Sequence, residues 1–282
     1  MRIEKGTSRM ARWLLAVVMA FGASVAMAQI TSTKHNLGTT AGGGPNKVTT
    51  GTAEICVFCH TPHAADVSVP GLPLWNKALP TSGTGYTTYS SSTMNATLAT
   101  DGLPGGTSIG SVSLACLSCH DGTQAMDNIL NAPGSGGYDA TGGGAGGLTY
   151  TWAGNVDGTG KMLNGPTTLA MLSEDLSNDH PIGIQYCGGG PRVGATGTAC
   201  QDADFKAPDS GTIGGATAFW VETGTAGSGR QKTDMILYNR NFAAGDGPSV
   251  ECASCHDPHT ATTTFLRISN AGSAVCLACH NK

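Results

Sequence analysis

The pattern of hydrophobic and polar positions after residue 28 contains no long amphipathic helix. Short Gly-free runs predict brief helices at 113–120, 169–176 and 274–281. Runs of β-branched and aromatic residues predict strands at 148–152, 218–222 and 235–238. Gly-rich stretches such as 142–147 predict loops. The expected fold is therefore mostly loop, with short helices and a few short antiparallel strands.

The first 28 residues have the pattern of a Sec-type signal peptide. Arg2, Lys5, Arg9 and Arg12 precede an apolar run at 13–25, and Ala-Met-Ala ends the segment as a cleavage site. The apolar run is shorter than a membrane-spanning helix requires, and no Cys follows the cut, so we expect no membrane anchor. The mature chain would begin at Gln29 and reside in the periplasm, on the cell surface or outside the cell.

The charge of the predicted mature chain argues against one class of partner. Removing residues 1–28 leaves 11 basic and 18 acidic residues, a formal charge of −7. A mildly acidic surface of this kind disfavours nucleic acid as a partner.

The chain carries the pattern Cys-x-x-Cys-His four times, at 56–60 (motif I), 116–120 (motif II), 252–256 (motif III) and 276–280 (motif IV). This pattern is typical of c-type haem attachment, in which both thiols bond to the haem and the His binds its iron. One copy alone could belong to a zinc knuckle, but four copies favour four covalently bound haem c groups. The predicted attachment residues are Cys56, Cys59, Cys116, Cys119, Cys252, Cys255, Cys276 and Cys279.

The number of histidines matches the number of axial positions on four irons. The chain has eight histidines. His60, His120, His256 and His280 belong to the motifs, and His35, His63, His180 and His259 lie outside them. Eight ligands for eight positions predict bis-histidine ligation of every haem. The alternatives are surface histidines and a Met as one sixth ligand, for which the candidates are Met94, Met126, Met162, Met171 and Met235.

Two of the outlying histidines follow a motif His by three residues, each directly after a Pro. His63 and His259 would therefore reach a neighbouring iron and not the far face of their own haem, which predicts haems in close contact. We expect His63 to serve motif II and His259 to serve motif IV. His35 and His180 remain for motifs I and III, in either order.

The two remaining cysteines, Cys187 and Cys200, flank a Gly-rich loop and predict a disulfide in an exported protein. Closing a loop of about 14 residues would stabilise the fold by roughly 3 kcal/mol. A redox-active pair is the alternative, but it requires a thiol of low pKa, and only Arg192 lies nearby in the sequence.

Large aliphatic residues are scarce, since Leu, Ile, Val and Phe make up 48 of 282 residues while Gly contributes 42. Such a chain buries little apolar surface of its own, which favours disorder unless a cofactor supplies the core. We therefore expect a multihaem cytochrome c fold whose core is a column of haems. It would form one domain over 29–282, with a Gly-rich central insertion at about 131–250, because both ends of the chain carry motifs.

Five segments in the same order resemble a known family: TKHNL, CVFCHTPHAA, NDHPIG, CASCHDPH and CLACH, between about residues 33 and 280. They are similar to the OmcE-type tetrahaem extracellular cytochromes, which polymerise into nanowires. The resemblance implies a loop-rich subunit wrapped around a continuous haem chain, with bis-histidine ligation throughout. It also implies a histidine ligand shared between subunits, and motif position assigns that role to His35.

The favoured function is a subunit of an extracellular filament that conducts electrons along stacked haems to extracellular acceptors. Its partners would be copies of itself, arranged head to tail, and other redox cytochromes. His35 would either fold back on its own chain or cap a haem of a neighbouring subunit. The alternative is a monomeric periplasmic electron shuttle. A haem enzyme is disfavoured because the histidine count leaves no open iron position, so no catalytic residue is predicted.

Overall fold

The computed structural model describes residues 29–67, 69–80, 85–102, 108–134, 136–143, 147–164, 170–195 and 197–281. The predicted signal peptide, residues 1–28, lies outside this set. None of the helices in the described ranges combines the length and apolar character needed to cross a membrane.

Short helices lie at all four motifs. Motif I begins in a 3₁₀ turn, Cys56–Phe58, and motif II occupies the longest helix, α1, Ser111–His120. Motifs III and IV lie on α2, Cys252–Cys255, and α3, Ala274–Cys279. The helices predicted at 113–120 and 274–281 are thus confirmed. Further 3₁₀ turns span Gln29–Ser32, Tyr186–Gly188, Thr263–Phe265 and Ala271–Ser273.

The third predicted helix, at 169–176, is wrong. Leu169 lies outside the described residues, 170–174 has no helix, and Asp175–Leu176 forms strand β6. Ser173 has a φ of 66°, which interrupts a right-handed helix. The N–H of Leu172 donates to the carbonyl of His120 over 2.7 Å, so this segment pairs with motif II instead of with itself.

A five-stranded antiparallel sheet dominates the central insertion, with strand order β7-β11-β10-β9-β8. Its central pair, β9 at Ala216–Val221 and β10 at Met235–Arg240, confirms the strands predicted at 218–222 and 235–238. Met235 faces Val221 and Leu237 faces Phe219 across the pair. The other members are β7, Ile184–Gln185, β8, Asp209–Ile213, and β11, Gly247–Val250.

Three two-stranded pairs lie outside this sheet. The strand predicted at 148–152 is confirmed only in part, because β5 covers Thr151–Ala153 and pairs with β1, Lys47–Thr50, not with the insertion strands. Strand β2, Thr87–Thr88, runs parallel to β6. Strands β3, Asn131–Ala132, and β4, Gly137–Tyr138, form a small hairpin. Gly142, Gly143 and Gly147 lie in turns with positive φ, as a loop requires, and 144–146 lies outside the described residues.

The apolar core is divided into small separate clusters. The largest joins one face of the sheet to α3 through Tyr186, Phe219, Met235, Leu237 and Ala278 with two further residues. A second cluster surrounds motif I and includes Leu37, Val57 and Phe58. This division agrees with the scarcity of large aliphatic residues in the sequence.

The predicted disulfide between Cys187 and Cys200 is present, with the two Cα atoms 5.4 Å apart. Cys187 is buried in the largest cluster. The bridge therefore connects the Gly-rich loop to the sheet. Six residues after Cys200, the N–H of Lys206 donates to the carbonyl of Cys279 over 2.8 Å. The insertion is in this way attached directly to motif IV.

Candidate haem-binding site

Motifs III and IV have the same local geometry. Helices α2 and α3 end at the second cysteine, and the following histidines, His256 and His280, have extended backbone with φ of −104° and −95°. Their N–H groups donate to the carbonyls of Cys252 and Cys276. The helix therefore presents both thiols on one turn, and the chain then carries the imidazole away from the helix.

None of the eight motif cysteines, all within the described ranges, takes part in a disulfide. Burial raises the pKa of Cys59 to about 12, and the nearby Cys119 raises it further. Hydrogen bonding with Cys252 raises the pKa of the Cys116 thiol, and burial adds to the rise. Burial raises the pKa of Cys255, and the neighbouring Cys276 raises it further. Thiols of consecutive motifs are therefore neighbours: a cysteine of motif I lies near one of motif II, II near III, and III near IV.

Four imidazoles are oriented through their Nδ1 atoms by backbone carbonyls. Nδ1 of His60 lies 2.9 Å from the carbonyl oxygen of Pro73, and Nδ1 of His256 lies 2.8 Å from that of Thr264. A carbonyl only accepts, so Nδ1 carries the proton and Nε2 keeps its lone pair for a metal ion. The same arrangement joins His120 to Ala170 over 2.6 Å and His180 to Pro181 over 3.0 Å.

Two pairs of imidazoles lie at a similar spacing, with nearly parallel planes in one pair and an edge-on arrangement in the other. The ring centroids of His60 and His259 are 6.1 Å apart, and those of His35 and His120 are 6.2 Å apart. This spacing leaves room for one metal ion with a bond of about 2 Å to each ring. Each pair combines one motif histidine with one outlying histidine, as bis-histidine ligation requires.

Motif IV is associated with His180. Burial lowers the pKa of His180, and the neighbouring His280 lowers it further. The ring of His280 also packs against Phe205 at 4.4 Å. Once these three pairs are assigned, His63 and His256 remain, both exposed at the protein surface.

The structure brings together different partners from those that the sequence predicts. His259 lies beside the motif I histidine and not beside motif IV, and His35, not His63, lies beside the motif II histidine. All eight predicted ligands are among the described residues. The difference arises because the three-residue spacing restricts a histidine to a neighbouring haem but does not say which one.

The N-terminal arm lies against its own chain. The His35 ring stacks on Phe265 at 4.1 Å with 13° between the planes. Burial lowers the pKa of His35 to about 4, and the adjacent His120 contributes. The buried Asn36 donates to the carbonyl of Thr31 over 2.7 Å, which shapes the arm before the Gly-rich segment that follows.

Asn76 is a supporting residue that the sequence does not reveal. It is fully buried, and its N–H donates to the carbonyl of Cys59 over 2.9 Å. Its side chain donates to the carbonyls of Val57 and Asn131 over 2.7 and 3.1 Å, and its Oδ1 accepts from the N–H of Asn131. Asn76 therefore clamps motif I to the segment around 131. No sequence pattern distinguishes it from a loop asparagine.

A buried ion pair connects motifs II and III. Arg240 pairs with Glu251, and Arg240 also reaches Asp101 over 2.8 Å. Ser113 on α1 donates to Glu251 and accepts from the N–H of Cys252 over 2.9 Å. Burial raises the pKa of Glu251, whereas Ser113 and Arg240 oppose the rise. This network links the helix of motif II to the start of α2.

The donor atoms of the described residues fit haem c better than the alternatives. No group of three or more His, Cys, Asp or Glu side chains within these ranges is arranged to hold a metal ion directly. Among the candidate methionines, Met235 lies in the largest apolar cluster and Met126 is fully buried. Each motif instead offers two thiols and one imidazole, which is the donor set of a covalently attached haem.

Comparison with known protein families identifies one segment. Residues 242–282, which contain motifs III and IV, match the family described as Doubled CXXCH motif. No curated protein matches the chain. The doubled motif indicates covalently bound haem c, and the loop-rich fold with small sheets is consistent with it. The matched segment thus suggests a multihaem c-type cytochrome, a class that transfers electrons.

Proposed function

We propose that all four motifs carry haem c and that the protein transfers electrons through four bis-histidine haems. The observation that carries the proposal is the pair of imidazole spacings, 6.1 Å for His60 with His259 and 6.2 Å for His35 with His120. When bound, haem supplies one-electron iron redox chemistry, whose potential the protein adjusts through ligands, hydrogen bonds and burial.

The thiols named above would hold the porphyrins, and the histidines would hold the irons in four pairs. These pairs are His60 with His259, His120 with His35, His280 with His180, and by elimination His256 with His63. The last pair is supported by the repeated pattern Cys-x-x-Cys-His-x-Pro-His, because motifs I and III would then exchange their second histidines reciprocally. With two histidines on every iron no position is open for a substrate, so the protein is not an enzyme.

The finer proposal is that the protein is an extracellular or cell-surface filament subunit that passes electrons to extracellular acceptors. It is supported by the five segments between about residues 33 and 280, which occur in the same order as in the nanowire-forming cytochromes that they resemble. In the described chain His35 lies against its own His120, so a bridging role requires the arm at 29–40 to make the same contacts on a neighbouring copy. A head-to-tail exchange of this kind, with the Gly-rich segment at 42–44 as the hinge, does not close and produces a filament. A monomeric periplasmic shuttle is the alternative.

The haem chemistry can be tested on the purified full-length protein. Intact mass spectrometry should show four haems, and spectroscopy should show low-spin iron that binds no carbon monoxide when reduced. Fewer than four haems would overturn the tetrahaem assignment. Carbon monoxide binding to the native protein would overturn complete bis-histidine ligation.

Assembly can be tested separately by negative-stain microscopy. Wild-type protein should form fibres, and a His35→Ala variant should remain as small particles. A His63→Ala variant is the matched control, because it removes a proposed iron ligand that lies outside the N-terminal arm, and it should still assemble. Uniform small wild-type particles at every concentration and salt tested would contradict the filament. Fibres from His35→Ala would contradict the bridging arm.

A further inference from the structure

Lys77 is a buried lysine beneath motif I. Its side chain is 1% exposed. The Nζ atom donates to the carbonyls of Ala125, Met126 and Asn128 over 3.2, 3.2 and 3.1 Å. Three acceptors that cannot donate require three N–H donors, and only the protonated amine has three. Lys77 is therefore a buried positive charge.

This charge is not neutralised by an ion pair. The ion pairs among the described residues involve Lys232, Arg240 and His259, and none includes Lys77. One acidic group that interacts with it is Asp127, whose pKa is raised by burial, with Lys77 among the groups that oppose the rise. The Asp127 carboxylate accepts from the N–H of Tyr150 over 2.9 Å and is occupied on that side. The ammonium is thus held by carbonyl dipoles instead of by a carboxylate in contact.

The charge lies within electrostatic reach of the motif I attachment point. The preceding residue, Asn76, binds the carbonyl of Cys59 directly. The side chain of Asn76 also donates to the carbonyl of Val57, between the two motif cysteines, over 2.7 Å. Lys77 therefore directly follows a residue that is hydrogen-bonded twice to the segment where a haem would be bonded.

We infer that Lys77 is a residue that adjusts redox potential: it raises the reduction potential of the haem held by Cys56 and Cys59. The inference rests on the proposed function, since it requires that motif I carries a haem. A reduced iron has one positive charge fewer than an oxidised iron, so a nearby fixed positive charge favours reduction. Water is excluded from the buried site, and the interaction is screened less than at the surface.

The expected consequence is a change in how electrons are distributed among the four haems at equilibrium. The haem of motif I would be reduced more readily than it would be without Lys77, so electrons entering the chain would favour it at equilibrium. The positive charge of Arg240 near motifs II and III differs in this respect, because Glu251 and Asp101 offset it. Of these two buried cations, Lys77 is the one that has no carboxylate of a described residue in ion-pair contact.

The test is a potentiometric titration of the purified full-length cytochrome, followed by visible absorbance. In Lys77→Gln one haem of the four should titrate at lower potential, so about one quarter of the absorbance change should move. In Lys77→Arg, which keeps the charge, the titration curve should stay near that of the wild type. Arg230→Gln is the control, because it removes the same charge from an exposed side chain. It should leave the curve in place.

Several outcomes would overturn the inference. An unmoved curve for Lys77→Gln, or an equal shift in Lys77→Arg, would show that Lys77 serves only as a hydrogen-bond donor. Should Lys77→Gln fail to retain its haems, Lys77→Met gives a second reading, because it removes the same charge without leaving a buried amide: one step should move to lower potential, and no shift or the opposite shift contradicts the role. A wild-type protein without four haem reductions would instead refute the proposed function, independently of any variant.

Discussion

The imidazole planes of His60 and His259 are nearly parallel, 17° apart, with centroids separated by 6.1 Å, although the two residues come from opposite ends of the chain. His60 belongs to motif I, and His259 follows motif III by three residues. Nδ1 of His60 is held by Pro73, whereas Nδ1 of His259 lies 3.2 Å from Asp257. Both rings are therefore oriented by a partner at Nδ1, the nitrogen that would not bind the iron.

Replacing His259 should affect one haem and leave three intact. We expect His259→Ala to convert one low-spin iron to high spin, because the motif I iron would lose its second imidazole. Electron paramagnetic resonance of the oxidised protein measures the high-spin fraction. His63→Ala should convert a different haem, so the double variant should show twice the high-spin signal. A double variant with the signal of either single variant would place both histidines on the same iron.

Breaking the ion pair of Arg240 and Glu251 should destabilise the fold strongly. Arg240→Met leaves a buried carboxylate without its cation, which costs about 3–5 kcal/mol in the free energy of unfolding. Denaturant titration followed by haem absorbance measures this loss. Arg230→Met, at an exposed position, should cost far less.

The paired variant Arg240→Met/Glu251→Leu distinguishes a charge effect from a packing effect. Removing both charges should recover most of the lost stability, since apolar replacements of a buried pair are often neutral. A double variant as unstable as Arg240→Met would mean that the hydrogen bonds from Ser113 and to Ser108 matter more than the unpaired charge.

Removing the disulfide should weaken the fold without loss of cofactor. A Cys187→Ser/Cys200→Ser variant should lose about 3 kcal/mol of stability, because the loop between the two cysteines is no longer closed in the unfolded chain. Thermal unfolding with and without reductant measures the effect, and the reductant should change only the wild type. Loss of a haem in this variant would indicate that one of the two cysteines takes part in attachment.

Folding should depend on haem attachment. The largest apolar cluster has seven buried residues, and the others are smaller. We expect residues 29–282, produced in the cytoplasm without haem attachment, to show no cooperative thermal transition by circular dichroism. The mature holoprotein should show one. A cooperative transition in the haem-free chain would show that these clusters and the sheet are sufficient.

The sequence predicted the features that short-range chemistry determines. The motif helices, the strands around Phe219 and Leu237, and the Cys187–Cys200 bridge follow from local patterns. The helix expected at 169–176 failed because the segment uses its backbone donors for motif II, a contact distant in sequence. Local propensity carries no information about such partners.

The histidine pairs and Lys77 lie beyond sequence reasoning for a related reason. The spacing of His259 limits its reach but leaves several irons available. Lys77 resembles any loop lysine, since its burial depends on three carbonyls about fifty residues away in the chain. These features depend on how distant segments meet, which only the folded chain defines.

The proximity of Cys116 and Cys252 has a consequence for how the protein matures. In an oxidising compartment two adjacent thiols readily form a disulfide, and an oxidant accepts the two electrons that are released. A chain that reached its final shape with these thiols uncapped would be open to a cross-link between motifs II and III, which would block both attachment sites. Thioether formation at both motifs would remove this hazard, since a thioether sulfur has no thiol proton to lose and forms no disulfide.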